Sequence, residues 1–306
     1  MNLYNLEMLK ELFRFSAGLP EIYKSKLELV GTIKTKPAKE AKKSIFGFTL
    51  LGKELFAVCE RSSQVEVYES TDYSFSCSLI FKELIDPWNI TSCKTNNCLF
   101  IFDFKGYNQL NYIMRVKPNG DIITKWSTGY DHGWGLSVTN ELNVILTILL
   151  RNKLIEYSPV GEVVREISLS SEAGIHCPLH ATKLADGNFI ITHGGSTDKD
   201  IYGVCIVDAG GQLKTSVNLG SHNIGKLNNP SHLAVDENGF VMVADRDNSR
   251  ILLFDSELEF KGEILSKEKH DLCHPMRIVI DESDGRLFVA DNEWSREGRI
   301  LIFKFV

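Results

Sequence analysis

The chain has 306 residues, 43% hydrophobic and 24% charged, with a formal net charge of −6. That is the composition of an ordinary soluble globular protein, long enough for one large domain or two ordinary ones. No stretch reaches the roughly 18 apolar residues of a membrane span, and the N-terminus MNLYNLEMLKELFRF lacks the basic segment and uninterrupted apolar core of a signal peptide. The seven cysteines are scattered and form no CxxC pair. They read as reduced, mostly buried thiols of a cytoplasmic protein, and the dense Cys/His pairs of a zinc module are absent.

In chain order, NLYNLEMLKELFRF places Leu3, Leu6, Leu9 and Phe13 near helical spacing and stops at Gly18-Leu19-Pro20. The spacing predicts a short helical arm within residues 1–26. It is too short to be stable alone, so it either belongs to a longer coiled coil or packs on the side of the domain. LELVGTIKT at 27–35 reads as a strand, and KTKPAKEAKK at 34–43 as a basic, solvated loop.

From residue 44 onward one pattern recurs. Its clearest copy is NPSHLAVDENGFVMVADRDNSRILLFDS at 229–256. Leu233 and Val235, then Val241 and Val243, alternate at period two, which is a strand signature. Asp236-Glu237-Asn238-Gly239 between them is a tight turn, with Gly239 free to take positive φ. Ile251–Phe254 and Glu259–Ile264 supply two further strands. HPMRIVIDESDGRLFVADNEWSREGRILIFKF at 274–305 repeats the pattern, and weaker copies begin at Ser44, Asp86, His132 and Cys177. Trp88, Trp134, Leu179, Ser231 and Met276 mark equivalent points, at steps of 46, 45, 52 and 45 residues. The long step comes from an insert at His193–Tyr202 together with the SHNIGKL loop. The polar turns KPNGD, SPVGE, DAGGQ and DSELE close successive units.

A four-stranded sheet with two apolar faces cannot bury itself alone and needs a neighbour on each side. The period therefore predicts an all-β fold: a six-bladed β-propeller of four-stranded antiparallel blades over residues 27–306. The sixth unit ends with its third strand at Phe305. Leu27–Thr35 is expected to supply the missing outer strand, closing the ring and removing its open edges.

The 229–256 copy resembles an NHL repeat: Pro before the inner strand, a hydrophobic-x-Val-Asp strand end, Gly, Val-Ala-Asp, and Asn-x-Arg-Ile. The 274–305 copy resembles it too, with NEWSREGR inserted where Asn-x-Arg should stand; the other four units match in period and turn placement only. The resemblance implies a six-bladed NHL propeller. Such propellers commonly form the C-terminal module of TRIM-type and related E3 ubiquitin ligases, where they recognise substrate, partner protein or RNA. Similar propellers occur in amidating lyases and, more distantly, in lactonase-like hydrolases. With no RING in this chain, the catalytic part of any ubiquitin transfer would come from elsewhere. The arm would then be the remnant of a coiled coil.

Two rings of candidate site residues follow from the repeat. At the end of the second strand stand Glu60, Asp103, Ile148, His193, Asp245 and Asp291. Asp245 and Arg250, five apart across a tight turn, can pair and accept turn N–H groups, as can Asp291 with Arg299 and, less clearly, Glu60 with Arg61. These residues read first as staples of the blade. Because the turn opens on one face, Glu60, Asp103, His193, Asp245 and Asp291 also form a candidate partner-binding rim for a cation or basic peptide.

The second ring, at the channel mouth, holds Gly47, Asn89, Gly135, His180, His232 and Arg277, with His132 and His274 three residues earlier in their units. The residues read as polar groups holding waters. His180 and His232 are the weak candidates for a metal, but a catalytic zinc needs three protein ligands, no third is evident, and Arg277 opposes a cation. No cofactor is expected. Nucleophilic catalysis has no support, since no GxSxG occurs. HGGSTDKD at 193–200 reads as a loop between strands.

RNA binding needs a basic surface. Residues 1–43 carry +4, which leaves −10 on residues 44–306. Trp88, Trp134, Tyr130 and Trp294 near the blade mouths have the chemistry to stack on bases, but core packing or a protein contact is the simpler role. The sequence thus points to a non-catalytic propeller that presents one face to a protein partner. A metal-dependent lyase or hydrolase with a channel site, and an RNA-binding propeller, stand as alternatives.

Overall fold

A computed structural model of the chain describes Tyr23 and residues 26–35, 44–106, 108–129, 131–195, 201–217, 225–292 and 298–306. It contains six four-stranded antiparallel sheets. Five are simple meanders whose inner strands are Ile45–Leu51, Pro87–Cys93, Gly133–Val138, Pro178–Lys183 and Pro230–Val235. The sixth runs Pro275–Asp281, Arg286–Asp291, Arg299–Phe305 and then Leu27–Lys34, so its outer strand comes from the other end of the chain. This is the six-bladed propeller the repeat predicted, closed by the expected strand.

The burial of each strand follows from its place in the blade. Second strands such as Cys98–Asp103, Val144–Ile148 and Arg286–Asp291 are buried at every position. Both of their faces pack on neighbouring blades, which is why they read as unbroken apolar runs rather than alternating ones. Outer strands such as Phe75–Ile80 and Leu213–Val217 are partly exposed and mix polar with apolar residues.

Between each pair of adjacent blades lies one apolar core. Phe56, Ile90, Leu99 and Met114 join blades one and two, and Phe189, Ile191, Leu154 and Ile167 join three and four. Ile33, Ile45, Phe48, Phe288 and Ile302 join blade six to blade one, which makes the array a ring. The turns between third and outer strands share one hydrogen-bond pattern: Lys117 with Asp121, Ser158 with Glu162, Asp208 with Gln212 and Asp255 with Glu259. Three of them put Gly120, Gly161 or Gly211 at positive φ. The fourth puts Leu258 there, at φ 63°, and its side chain is buried in the core between blades four and five. Burial of an apolar side chain offsets the left-handed backbone there.

The closing strand pairs from Leu27 with Phe305 to Lys34 with Arg299, with one irregularity between Leu29 and Gly31. Leu27 enters the core between blades five and six, and Ile33 the core between six and one. One strand thus fastens two interfaces. The expected arm lies, apart from Tyr23 and Lys26, outside the described residues. Tyr23 packs against Phe240 and Phe305, and its hydroxyl donates to Asp236 Oδ2 at 2.7 Å.

Phe303, fully buried on the third strand of blade six, fills the core that the closing strand completes. Phe303→Ala is expected to lower the free energy of unfolding by about 3–5 kcal/mol in a denaturant titration. Ile123→Ala, on an outer strand and 43% exposed, should change it by no more than about 0.5 kcal/mol.

Candidate functional site

Every inner strand begins with the same piece of geometry. Its first residue pairs with the last residue of the second strand: Pro87 with Asp103, Pro178 with His193, Pro230 with Asp245 and Pro275 with Asp291. Gly133 pairs with Ile148 in blade three. In blade one the pair is Ile45 with Cys59, so the equivalent position is Cys59, one residue before Glu60. Proline, which has no N–H to give, suits the first position of a strand.

Directly after that pair the register shifts in all six blades. A bulge adds an unpaired residue and turns its side chain away from the pleat. The residues so turned include Phe46, Trp88, Leu179, Ser231 and Met276, with Trp134 in the two-residue shift of blade three. All six line the mouth of the central channel.

The aspartates of the first ring sit behind this surface. Asp103, Asp245 and Asp291 are at most 1% exposed. Asp103 Oδ1 accepts from the backbone N–H groups of Ile85 and Asp86, at 3.0 and 2.8 Å. Asp291 Oδ1 accepts from Cys273 and His274, at 2.9 and 2.8 Å, and Asp245 Oδ1 from Asn228, at 2.7 Å. Each carboxylate therefore fixes the loop that enters its own inner strand. Arg250 Nε donates to Asp245 Oδ2 at 2.7 Å, and Arg299 Nη2 to Asp291 Oδ2 at 2.9 Å. Burial raises the pKa of Asp103 and Asp245 even though these hydrogen bonds act the other way.

His193 is also buried, and burial lowers its pKa to about 4, with a smaller effect from His176. Glu60 alone of the set is partly open to solvent, 3.8 Å from Arg61. A partner on this face would meet the loops that the aspartates hold, not the carboxylates themselves.

Half-buried aromatic rings form an arc over blades one to three. Trp88 lies 4.4 Å from Phe46 and 5.0 Å from Trp134 between ring centroids. Phe104 meets Trp88 edge-on and stacks on His132 at 4.4 Å. Phe46 and Phe104 escaped the sequence reading. The position of Phe46, immediately before Gly47 as Trp88 precedes Asn89, is the signal that locates it. Tyr130 and Trp294 lie outside the described residues.

One residue deeper, the second ring faces the channel. Its two glycines are there for packing: a Cβ on Gly135 would stand 2.4 Å from the Leu179 carbonyl oxygen, and one on Gly47 would stand 2.9 Å from the Ile90 nitrogen. Asn89, His180, His232 and Arg277 supply the side chains. His180 and His232 come together with ring centroids 3.9 Å apart. Burial first, and then the Arg277 charge, lowers the His180 pKa to about 3. Burial, His180 and Arg277 hold His232 well below the usual range.

Arg277 is 4% exposed, and burial brings its pKa down to about 9, so it remains a cation at neutral pH. Its Nε donates to the Phe46 carbonyl at 3.2 Å, tying blade six to blade one. The hollow at the centre is open at its mouth and offers about 20 Å³, room for a water or a single small ion. Among the described residues, no three His, Cys, Asp or Glu side chains gather as a metal-binding group. No helix of the described residues is long and apolar enough to cross a membrane.

No family model matches the chain, and no curated protein matches it. Solved structures do. A protein of unknown function from Bacteroides caccae superposes with a TM-score of 0.58 at 13% identity, over 75% of this chain and 84% of that one. Hydrazine synthase from Kuenenia stuttgartiensis gives a TM-score of 0.56 at 13% identity, over 85% of this chain and 77% of that one. At this identity the likeness is one of fold.

The buried histidines carry a pH signature. Unfolded, an imidazole takes its proton near pH 6.5; His180 folded takes it near 3. Between those values the unfolded chain binds the extra proton. The stability contributed is full above pH 6.5 and lost as the pH falls. His180→Gln should flatten the loss of stability between pH 6 and 4 by about 1.4 kcal/mol per pH unit, measured by denaturant unfolding at each pH.

Proposed function

We propose that the chain is a non-catalytic recognition propeller that presents its channel-mouth face to a protein partner. The observation behind this reading is the half-buried arc of Phe46, Trp88 and Trp134 above a channel of only about 20 Å³. The hollow is too small for an organic substrate, whereas aromatic side chains in a firmly held frame are what protein interfaces use as anchors. The aspartate staples supply that firmness by fixing the entry loops around the arc. A channel metal finds less support, because the guanidinium of Arg277 lies beside the two imidazoles. RNA finds less support in the −10 charge of residues 44–306.

The NHL resemblance of blades five and six extends the proposal to partner recognition in ubiquitin-dependent turnover, with the catalytic step on another chain. Pro230 opposite Asp245 and Pro275 opposite Asp291 are the resembling residues that meet in register.

The test is capture from a cell lysate on the intact chain, with and without ribonuclease. Specific proteins should survive ribonuclease, and Trp88→Ala with Trp134→Ala should weaken their binding at least thirtyfold, about 2 kcal/mol or more for two anchors. Proteins that leave with ribonuclease, or that bind the double variant equally well, would overturn the reading. For the finer proposal, the captured protein should persist longer in cells once the propeller is removed. An unchanged lifetime counts against it.

A further inference from the structure

Two cysteines face each other in blade two. Cys93 ends the inner strand Pro87–Cys93, Cys98 begins the second strand Cys98–Asp103, and the two are Cα partners in the last pair of the ladder before the turn. Directly opposed residues of antiparallel strands project from the same face of the sheet, and both of these side chains enter the core between blades two and three. Opposed Cα atoms stand about 4.5 or 5.5 Å apart, according to the type of pair, and both values lie inside the range that a disulfide spans without moving the backbone. The thiols are near enough for Cys93 to act on Cys98 by charge and by hydrogen bond.

The other hairpins carry no such pair. At the same place stand Leu51 with Glu54, Val138 with Val144, Lys183 with Phe189, Val235 with Val241 and Asp281 with Arg286. Elsewhere in the ladders Cys59, Cys77 and Cys205 oppose Ile45, Val67 and Ile191.

Arg115 makes the two sulfurs unequal. Its Nε donates to Cys98 Sγ at 3.3 Å, and its Nη1 to the Pro159 carbonyl of blade three at 3.4 Å. A guanidinium beside a sulfur favours the thiolate, the form that reacts. Burial opposes this and leaves the Cys98 pKa raised, so the pair is a slow nucleophile with a preferred first sulfur. Both thiols are buried, but each is flanked by an exposed turn residue, Lys94 or Asn97. A hairpin end of this kind opens at less cost than the strands behind it, and that gives a small oxidant its way in.

We propose that Cys93 and Cys98 are a redox-modification site, two thiols that a peroxide converts reversibly into a disulfide closing the first hairpin of blade two. The Cys98 thiolate attacks one oxygen of hydrogen peroxide. An S–O bond forms, the O–O bond breaks, and the hydroxide released leaves as water with the proton Cys98 gave up. The Cys93 thiolate then attacks the sulfenic sulfur. The S–S bond forms, the S–O bond breaks, and a second hydroxide leaves as water with the Cys93 proton. The sulfurs lose two electrons and the peroxide gains them. A dithiol reverses the change by exchange and itself becomes a disulfide. Because Cys93 stands opposite, it captures the sulfenic acid before more peroxide can carry it to the irreversible sulfinic acid. The pair lies at the far end of its strand from Trp88 and the channel mouth, so the proposal does not rest on the interaction reading.

The experiment treats the intact, reduced chain in dilute solution with hydrogen peroxide, unfolds it in N-ethylmaleimide and maps the peptides by mass spectrometry. The product should show two fewer free thiols than the seven cysteines of the chain supply. The unlabelled peptides should be those of Cys93 and Cys98, joined and two hydrogens lighter, and dithiothreitol should restore both thiols. In Cys93→Ser the Cys98 sulfenic acid has no partner, and dimedone should trap it; in Cys98→Ser, Cys93 should give far less adduct. Arg115→Gln should slow the oxidation severalfold and move its pH–rate profile to higher pH, with Arg115→Lys restoring part of the rate. The reverse dimedone pattern, or an Arg115→Gln profile equal to wild type, would overturn the order of attack and the part given to Arg115. The site itself fails if Cys93 and Cys98 both remain labelled at a peroxide dose that oxidises the exposed Cys77. It fails equally if Cys98 becomes sulfinic acid with Cys93 still free, or if either joins a different cysteine.

Discussion

The governing constraint is that the middle strands of each blade are apolar on both faces. A sheet of that kind has no stable existence by itself, because either face left in water would cost tens of buried methyl and methylene groups. Every blade therefore needs two neighbours, and a row of such blades has no satisfactory end. The ring answers this, and the core of Ile33, Ile45, Phe48, Phe288 and Ile302 is where the last blade meets the first. The inner strands add polar stitching at the axis: Ser137 to the Ala181 carbonyl, Ser231 to the Pro275 carbonyl, and Arg277 to that of Phe46.

The site grows out of the same constraint. Six inner strands converge on one axis, and convergence leaves little room for side chains. Gly47 and Gly135 yield their space to the next strand. The bulge at each strand entry turns one residue toward the mouth, and the buried aspartates behind it hold the entering loop still. The channel-mouth surface is thus assembled from single residues contributed by different blades, far apart in the chain. Its character differs around the ring: aromatic over blades one to three, aliphatic and polar over four to six.

Much of this was legible in the sequence, and the remainder was hidden for physical reasons. The period, the six blades and closure by Leu27–Lys34 were readable because apolar runs and turn glycines recur at nearly constant spacing. The pairing of Asp245 with Arg250 was readable from their separation across a turn. What sequence leaves open is the direction in which a charged side chain points. Asp103, Asp245 and Asp291 are acids that could equally have faced a partner, yet they are buried and one oxygen of each, Oδ1, accepts from the backbone N–H groups of the loop entering its own blade. The one-residue slip from Glu60 to Cys59 arises in the first hairpin of blade one, where Leu51 pairs with Glu54 across a two-residue turn, whereas in blade two Cys93 pairs with Cys98 across four residues. The bulges are invisible to a period-two reading, so Phe46 was missed. That His180 and His232, 52 residues apart, share one register in adjacent blades was readable from the repeat; the approach of their ring centroids to 3.9 Å was not.

The closing strand bears on how the molecule is made. Leu27 pairs with Phe305, so the closing strand, made before the other strands of the six blades, must wait for the last of them. Until residues 299–305 have been made, blades one to five can stack, but the nascent array keeps two unpaired ends and the Leu27–Lys34 segment has no ladder to join. Final closure joins residues separated by nearly the whole chain, a step whose entropy cost is met only once both flanking cores are ready to form. A chain that stops before residue 299 therefore leaves an open array with an exposed apolar end rather than a smaller propeller.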